Sequence, residues 1–138
     1  TAERCNTMTA SWGGLGVIWG APSATCYIRP QRYTKEFVDR EEYFTLAFFG
    51  EEYRDALALC GSKSGREVDK VKECGFTVQA AECGAPYFDQ AELVLVCRKR
   101  FVQPMDPANI PQDVKEKWYP QQDYHTMYIG QIVEVLAR

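Results

Sequence analysis

Four stretches of this chain combine residue types that could do chemistry. The first is Asn6-Thr7-Met8-Thr9-Ala10-Ser11-Trp12, which runs into Gly13-Gly14. Small polar residues alternate there with larger ones. On a strand, Asn6, Met8 and Ala10 face one side and Thr7, Thr9 and Ser11 the other. Such a wall suits a flat polar ring: hydroxyl and backbone groups for its edge, little bulk over its face. The same residues also fit an edge strand with a solvated polar face and a Gly-Gly turn.

The second stretch is Tyr27-Ile28-Arg29-Pro30-Gln31-Arg32-Tyr33-Thr34. A strand ends, two arginines follow, and a helix opens. Helix N-termini offer free N–H groups to anions, and arginine pairs well with phosphate. An ordinary strand-to-helix turn with exposed arginines fits as well. The third, Gly61-Ser62-Lys63-Ser64-Gly65-Arg66, resembles a phosphate loop in composition, but a purely structural role fits as well, with Ser64 as an N-cap. It lacks the Gly-x-x-x-x-Gly-Lys-Ser/Thr spacing and the Gly-x-Gly-x-x-Gly of a dinucleotide fold. The fourth, Asp123 to Gly130, carries His125, the chain's single histidine. Histidine titrates near neutral pH, but no Ser-His-Asp or Cys-His signature supplies a nucleophile. His125 is therefore a weak catalytic candidate, and hydrolysis is disfavoured.

These stretches need elements to hold them. Ala24 to Ile28 reads as a strand. Thr34 reads as an N-cap, with a helix over Lys35 to Arg40 and Glu36 in its first turn. The aromatic run Tyr43 to Phe49 has the length of a strand. Glu51 to Cys60 reads as a helix with Leu57 inward and Gly61 just past its end. Ser64-Gly65-Arg66-Glu67 matches a capping box, predicting a helix that presents Val68 and Val71 and stops at Gly75. Phe76 to Gln79 reads as a short strand, Leu93 to Val102 as the clearest strand, and Pro107 to Tyr119 as a loop with a short helix near Pro111. Tyr124 to Leu136 reads as a long strand in which Gly130 marks a bulge or a close approach. Short helices between unevenly spaced strands point to a β-barrel or α+β domain rather than a doubly wound sheet.

The bulk numbers agree with one globular domain over residues 1–138. The chain has 138 residues, 46% hydrophobic and 25% charged, with a net charge of -3. No Lys/Arg-rich run suggests a nucleic-acid partner, and no stretch approaches the roughly 20 apolar residues that span a bilayer. The six cysteines form no Cys-x-x-Cys, so a metal site is not expected. All six are expected as reduced thiols in a cytoplasmic protein, without an intrachain disulfide.

Taken in order, these stretches resemble the flavin-reductase-like FMN-binding family, in the branch that includes flavoredoxins. The resemblance is carried by Asn6 to Gly13, Ile28 to Thr34, Ser62 to Arg66, Ala91 to Cys97 and Asp123 to Gly130. It implies a split β-barrel with Greek-key topology and short peripheral helices, a homodimer, and non-covalent FMN near the subunit interface. It implies that Asn6, Thr7, Met8, Thr9, Ala10, Ser11 and Trp12 line the flavin ring. Arg29, Pro30, Gln31, Arg32, Tyr33 and Thr34 then meet the phosphate, with Lys63 and Ser64 nearby. Relatives of this kind carry a further barrel strand before the Asn6 stretch, so a first strand is expected to be missing from the sequence given. Gln131 stands where such proteins often have Glu, with little effect expected on flavin binding. The expected activity is electron transfer through FMN from NAD(P)H or another reduced donor. The alternatives are an electron carrier serving a redox protein partner, and a flavin-free interaction module.

Overall fold

The computed structural model describes residues 1–138. In chain order it contains β1 (Gly13–Ile18), β2 (Ala21–Ile28), α1 (Tyr33–Arg40), β3 (Tyr43–Phe48), a 3-10 turn at Glu51–Tyr53, and α2 (Arg54–Ser62). There follow α3 (Lys70–Cys74), β4 (Val78–Ala80), β5 (Pro86–Phe88), β6 (Leu93–Pro104), a second 3-10 turn at Pro107–Asn109, α4 (Gln112–Trp118) and β7 (Thr126–Ala137). No helix is long and apolar enough to cross a membrane.

The main sheet is five-stranded in the order β1-β2-β7-β6-β3, and β4 and β5 form a separate pair. Every pairing is antiparallel. β3, β6 and β7 lie side by side in chain order, and the earlier β2 lies beside β7, which is a Greek-key arrangement. β1 and β2 are joined through Trp19 and Gly20, at φ 52° and 70°. Positive φ at both positions is what a tight hairpin turn of the I′ kind requires.

The first half of β6 explains its unbroken apolar run. Leu95 and Cys97 pack into a cluster with Ala24, Cys26, Ile28, Val38, Phe44 and Tyr128. Val94 and Val96 point the other way, into a second cluster with Ala81, Ala85 and Ala91. A strand covered on both faces needs no polar alternation. α1 is tied across the sheet by Tyr128, whose hydroxyl donates to Asp39 Oδ1 at 2.5 Å.

Several local expectations need correction. Arg32, not Thr34, occupies the N-cap of α1; the Thr34 hydroxyl instead accepts from Asn6 Nδ2 at 2.9 Å. Gly61 lies inside α2, which ends at Ser62, where the serine hydroxyl donates back to the Ala58 carbonyl at 2.8 Å. The Ser64 capping box does not form: its Oγ accepts from the N–H of Arg66, only two residues on. That local turn satisfies the side chain before a helix can start. α3 is capped by Asp69, which accepts from the N–H of Lys72, and it does stop at Gly75, at φ 69°. Residues 6–11 are not a laddered strand; regular pairing begins at Gly13.

Gly130 is both a bulge site and a close approach. The β6–β7 register slips between Lys99 and Phe101, opposite Gly130 and Ile129. A Cβ at Gly130 would lie 2.7 Å from Cys97 Cβ and 2.8 Å from the Phe44 ring. Gly130→Ala should therefore lower unfolding stability by about 1–3 kcal/mol, the usual cost of overpacking. Chemical denaturation should show a lower midpoint at unchanged slope.

Candidate functional site

Residues 5–12 thread along the mouth of the sheet, and Met8–Trp12 face two spaces at once. On one side lies a cavity of about 580 Å³, lined largely by apolar residues of β2, β3 and β5. On the other lies a groove of about 200 Å³, bounded by Tyr27, Arg29 and His125. The larger space is lined by Arg4 and, at its polar end, by Asn6 and Thr34, but not by Arg32 or Lys70.

The polar end of the threaded segment is organised by Asn6. Its amide nitrogen donates to Thr34 near the start of α1. Its oxygen sits against Gly65, where any Cβ would collide with it. Asn6 thereby joins the start of α1 to the Ser62–Arg66 loop. Thr9 donates from its hydroxyl to the Leu57 carbonyl of α2. The first N–H groups of α1, at Tyr33 and Thr34, donate to no acceptor in the protein.

Two cations converge beside this junction. Arg32 donates to the Gly61 carbonyl at 3.0 Å and the Cys60 carbonyl at 3.3 Å. Lys70, only 4% exposed, donates to the Thr7 carbonyl at 2.8 Å and to the same Cys60 carbonyl at 2.9 Å. Neither takes part in an ion pair. Burial, and then the Arg32 charge, push the Lys70 ammonium below its ordinary pKa. Burial does the same to Arg32. One buried and one half-buried cation without a carboxylate partner leave a positive excess that an anion would relieve.

The other arginines are committed elsewhere. Arg29 pairs with Asp123 at 3.1 Å, donates to the Trp118 carbonyl at 3.0 Å, and lies 5.0 Å over the Tyr119 ring. Gln31 donates to the same Asp123 at 2.8 Å. Arg66 pairs with Glu36 at 2.6 Å and stacks over Tyr33 at 4.6 Å. Lys63 is exposed. Pro30 and Gln31 form the turn between β2 and α1.

Lys70 is the site residue that sequence reasoning missed. A signal existed: a lysine at the first position of a helix stands against the helix dipole, directly after the good cap Asp69. Such a charge needs another reason to be there.

His125 sits at the floor of the groove. It is buried, its Nδ1 lies 2.6 Å from the Tyr119 hydroxyl, and its ring is 5.0 Å from Trp12. Trp118 packs edge-on against Trp12, also at 5.0 Å.

The whole chain, residues 1–138, matches the model of the flavin reductase like domain. The chain belongs to that family. Among solved structures, the flavin reductase-like domain resembles flavoredoxin from Methanosarcina acetivorans, with a TM-score of 0.77 and 22% identity over 96% of this chain and 61% of that one. It resembles an FMN-binding protein from Thermus thermophilus, crystallised with 1-cyclohex-2-enone, with a TM-score of 0.75 and 23% identity over 96% and 62%. Component B of nitrilotriacetate monooxygenase from Bacillus cereus aligns with a TM-score of 0.76 and 15% identity over 99% and 65%. The domain thus spans less than two thirds of each of these chains. No match was found among curated proteins. The fold is the split-barrel, α+β architecture that the strand pattern and the resemblance predict.

Burial, and then the Arg29 charge, hold His125 below its ordinary pKa of 6.5, against the opposing pull of Asp123. The folded state therefore prefers the neutral ring. That stabilisation is fully present above pH 6.5 and is lost as pH falls from there through the folded value. Thermal melts of His125→Gln should fall less steeply than the parent's as pH drops below that point.

Proposed function

We propose that this flavin reductase-like domain holds FMN without a covalent link and passes electrons through it. The observation that carries the reading is the Arg32–Lys70 pair, a half-buried and a buried cation with no acid partner beside the free N–H groups of α1. The family match and the FMN-binding solved relatives support the same reading. When bound, FMN supplies a ring that accepts and gives electrons; the protein supplies orientation and electrostatics.

In this reading the phosphate lies at Arg32, Thr34, the α1 N-terminus and the Ser62–Arg66 loop, with Lys70 adding charge from below. Residues 6–12 lie along the ring edge, with Ala10 and Ser11 presenting backbone and small side chains to it. Trp12, His125 and Arg29 bound the adjoining groove, where a reduced donor such as NAD(P)H would approach. Neutral His125, with Tyr119 on Nδ1, leaves Nε2 for a hydrogen bond there. The reaction class is flavin reduction. A carrier role toward a redox protein partner is the competing reading, since flavoredoxin is among the structural relatives; a flavin-free interaction module is the third. A yellow protein excludes the module. Sustained NADH or NADPH oxidation with added FMN separates enzyme from carrier. Free thiols at all six cysteines suit a reducing, cytoplasmic setting.

Arg32→Ala should weaken FMN binding about ten- to a hundred-fold, because a hydrogen bond to a charged group is worth roughly 1.5–3 kcal/mol. Riboflavin lacks the phosphate, so its affinity should change far less. Arg29→Ala should leave the FMN-to-riboflavin ratio near the parent's, since Asp123 already holds that guanidinium. Fluorescence titration of the two flavins gives both ratios. A ratio altered by Arg29→Ala and not by Arg32→Ala would move the phosphate to Arg29.

We also propose a homodimer. On the edge strand β1, Leu15 is 63% exposed and Val17 78%, while Trp19 in the turn is 65% exposed. Light scattering at micromolar concentration should show a dimer, and Val17→Lys should shift it toward monomer.

A further inference from the structure

Two of the six thiols meet. Cys60 Sγ lies 3.8 Å from Cys74 Sγ, a contact that joins the last turn of α2 to the last residue of α3. Cys60 is buried and Cys74 partly exposed. Both pack beside Phe76, with Phe88 on the same cluster. No other pair of cysteines has a sulfur–sulfur hydrogen-bond contact: Cys26 and Cys97 are buried in the main core, Cys5 is half-buried, and Cys83 is exposed. The sulfurs need to close by less than 2 Å to reach the roughly 2.05 Å of a disulfide, a movement side-chain rotation can supply.

We propose that Cys60 and Cys74 form a reversible thiol–disulfide modification site for low-molecular-weight disulfides. Cys74 is the accessible partner and reacts first. Its thiol releases a proton, and the thiolate attacks one sulfur of the small disulfide. That S–S bond breaks, and one small thiol leaves and takes up a proton. Cys60 then loses its proton and attacks the Cys74 sulfur, expelling the second small thiol, which is protonated in turn. Two protein thiols are oxidised and one small disulfide is reduced to two thiols. Burial first, and then the Cys74 sulfur, push the Cys60 thiol up to about 11, and the Lys70 ammonium on the Cys60 carbonyl at 2.9 Å opposes that rise.

The link has a structural consequence of its own. It closes the ends of the segment 61–73, which contains Ser64, Gly65 and Lys70. It also ties the end of helix α3 to helix α2, whose Cys60 carbonyl receives both Arg32 and Lys70. In a reducing setting the pair rests as thiols, as the structure has it, and it oxidises when small disulfides accumulate.

The test uses the folded full chain with Cys83→Ser, to remove the exposed competing thiol. The protein is incubated with oxidised glutathione, alkylated under denaturing conditions, and mapped by mass spectrometry without reduction. The expected result is a Cys60–Cys74 cross-linked peptide, loss of two of the remaining alkylatable thiols, and recovery of both with dithiothreitol. Amide exchange across 61–73 should slow in the oxidised form. Cys60→Ser should instead trap glutathione on Cys74, and Cys74→Ser should give neither cross-link nor stable adduct at Cys60. Finding both Cys60 and Cys74 alkylated after incubation overturns the proposal. A cross-link that joins other cysteines does so too.

Discussion

The carbonyl of Cys60 receives hydrogen bonds from two cations, and the candidate site is arranged around it. A helix C-terminus carries partial negative charge, and here α2 uses it to hold Arg32 from the start of α1 and Lys70 from the start of α3. The Lys70 ammonium also reaches the Thr7 carbonyl, which draws the threaded segment 5–12 toward the same point. Three separate parts of the chain are thus pinned to one helix end. Asn6 repeats the pattern on a smaller scale, bridging Thr34 and Gly65. Remove that convergence and the sheet would survive, but its polar rim would have no fixed shape.

The sheet supplies the other half of the constraint. Tyr128 reaches from β7 to Asp39 of α1, and the burial of its ring among Cys26, Cys97 and Phe44 fixes the angle of that helix. Burial and the neighbouring Asp39 carboxylate push the Tyr128 hydroxyl well above its ordinary pKa, so it stays a donor at any working pH. α1 is therefore tied to the sheet by a bond that a change of pH in the working range does not break by ionising Tyr128. Polar preorganisation of this kind is what binding a charged group requires, because the donors need not be gathered at the moment of binding.

Much of this was legible in the sequence, for physical reasons. β-branched and aromatic runs marked β2, β3, β6 and β7, and Gly75 and Gly130 marked a helix stop and a tight crossing. The stretches around Asn6, Arg32 and Ser64 do come together. What sequence reasoning missed were choices between competing local hydrogen bonds. Ser64 could cap a helix or close a short turn, and its own backbone two residues on was nearer. Thr34 could cap α1, but Asn6 arrives from far along the chain to take its hydroxyl. Lys70 went unremarked because its partners are carbonyls, which no residue type announces. Arg29 looked as available as Arg32 until Asp123, distant in sequence, was seen to hold it.

The Greek-key order has a consequence for when the cradle can exist. Asn6, Arg32, Gly65 and Lys70 all leave the ribosome before β7, the strand that holds both β2 and α1 in place. Until Tyr128 and its neighbours are synthesised, α1 has its bonds to Asn6, Arg66 and Lys99 but lacks its tie to β7. Pairing β2 with a strand so distant in sequence is also slow, since loop closure precedes any contact. The polar junction at the start of α1 is therefore complete only once β7 has joined the sheet.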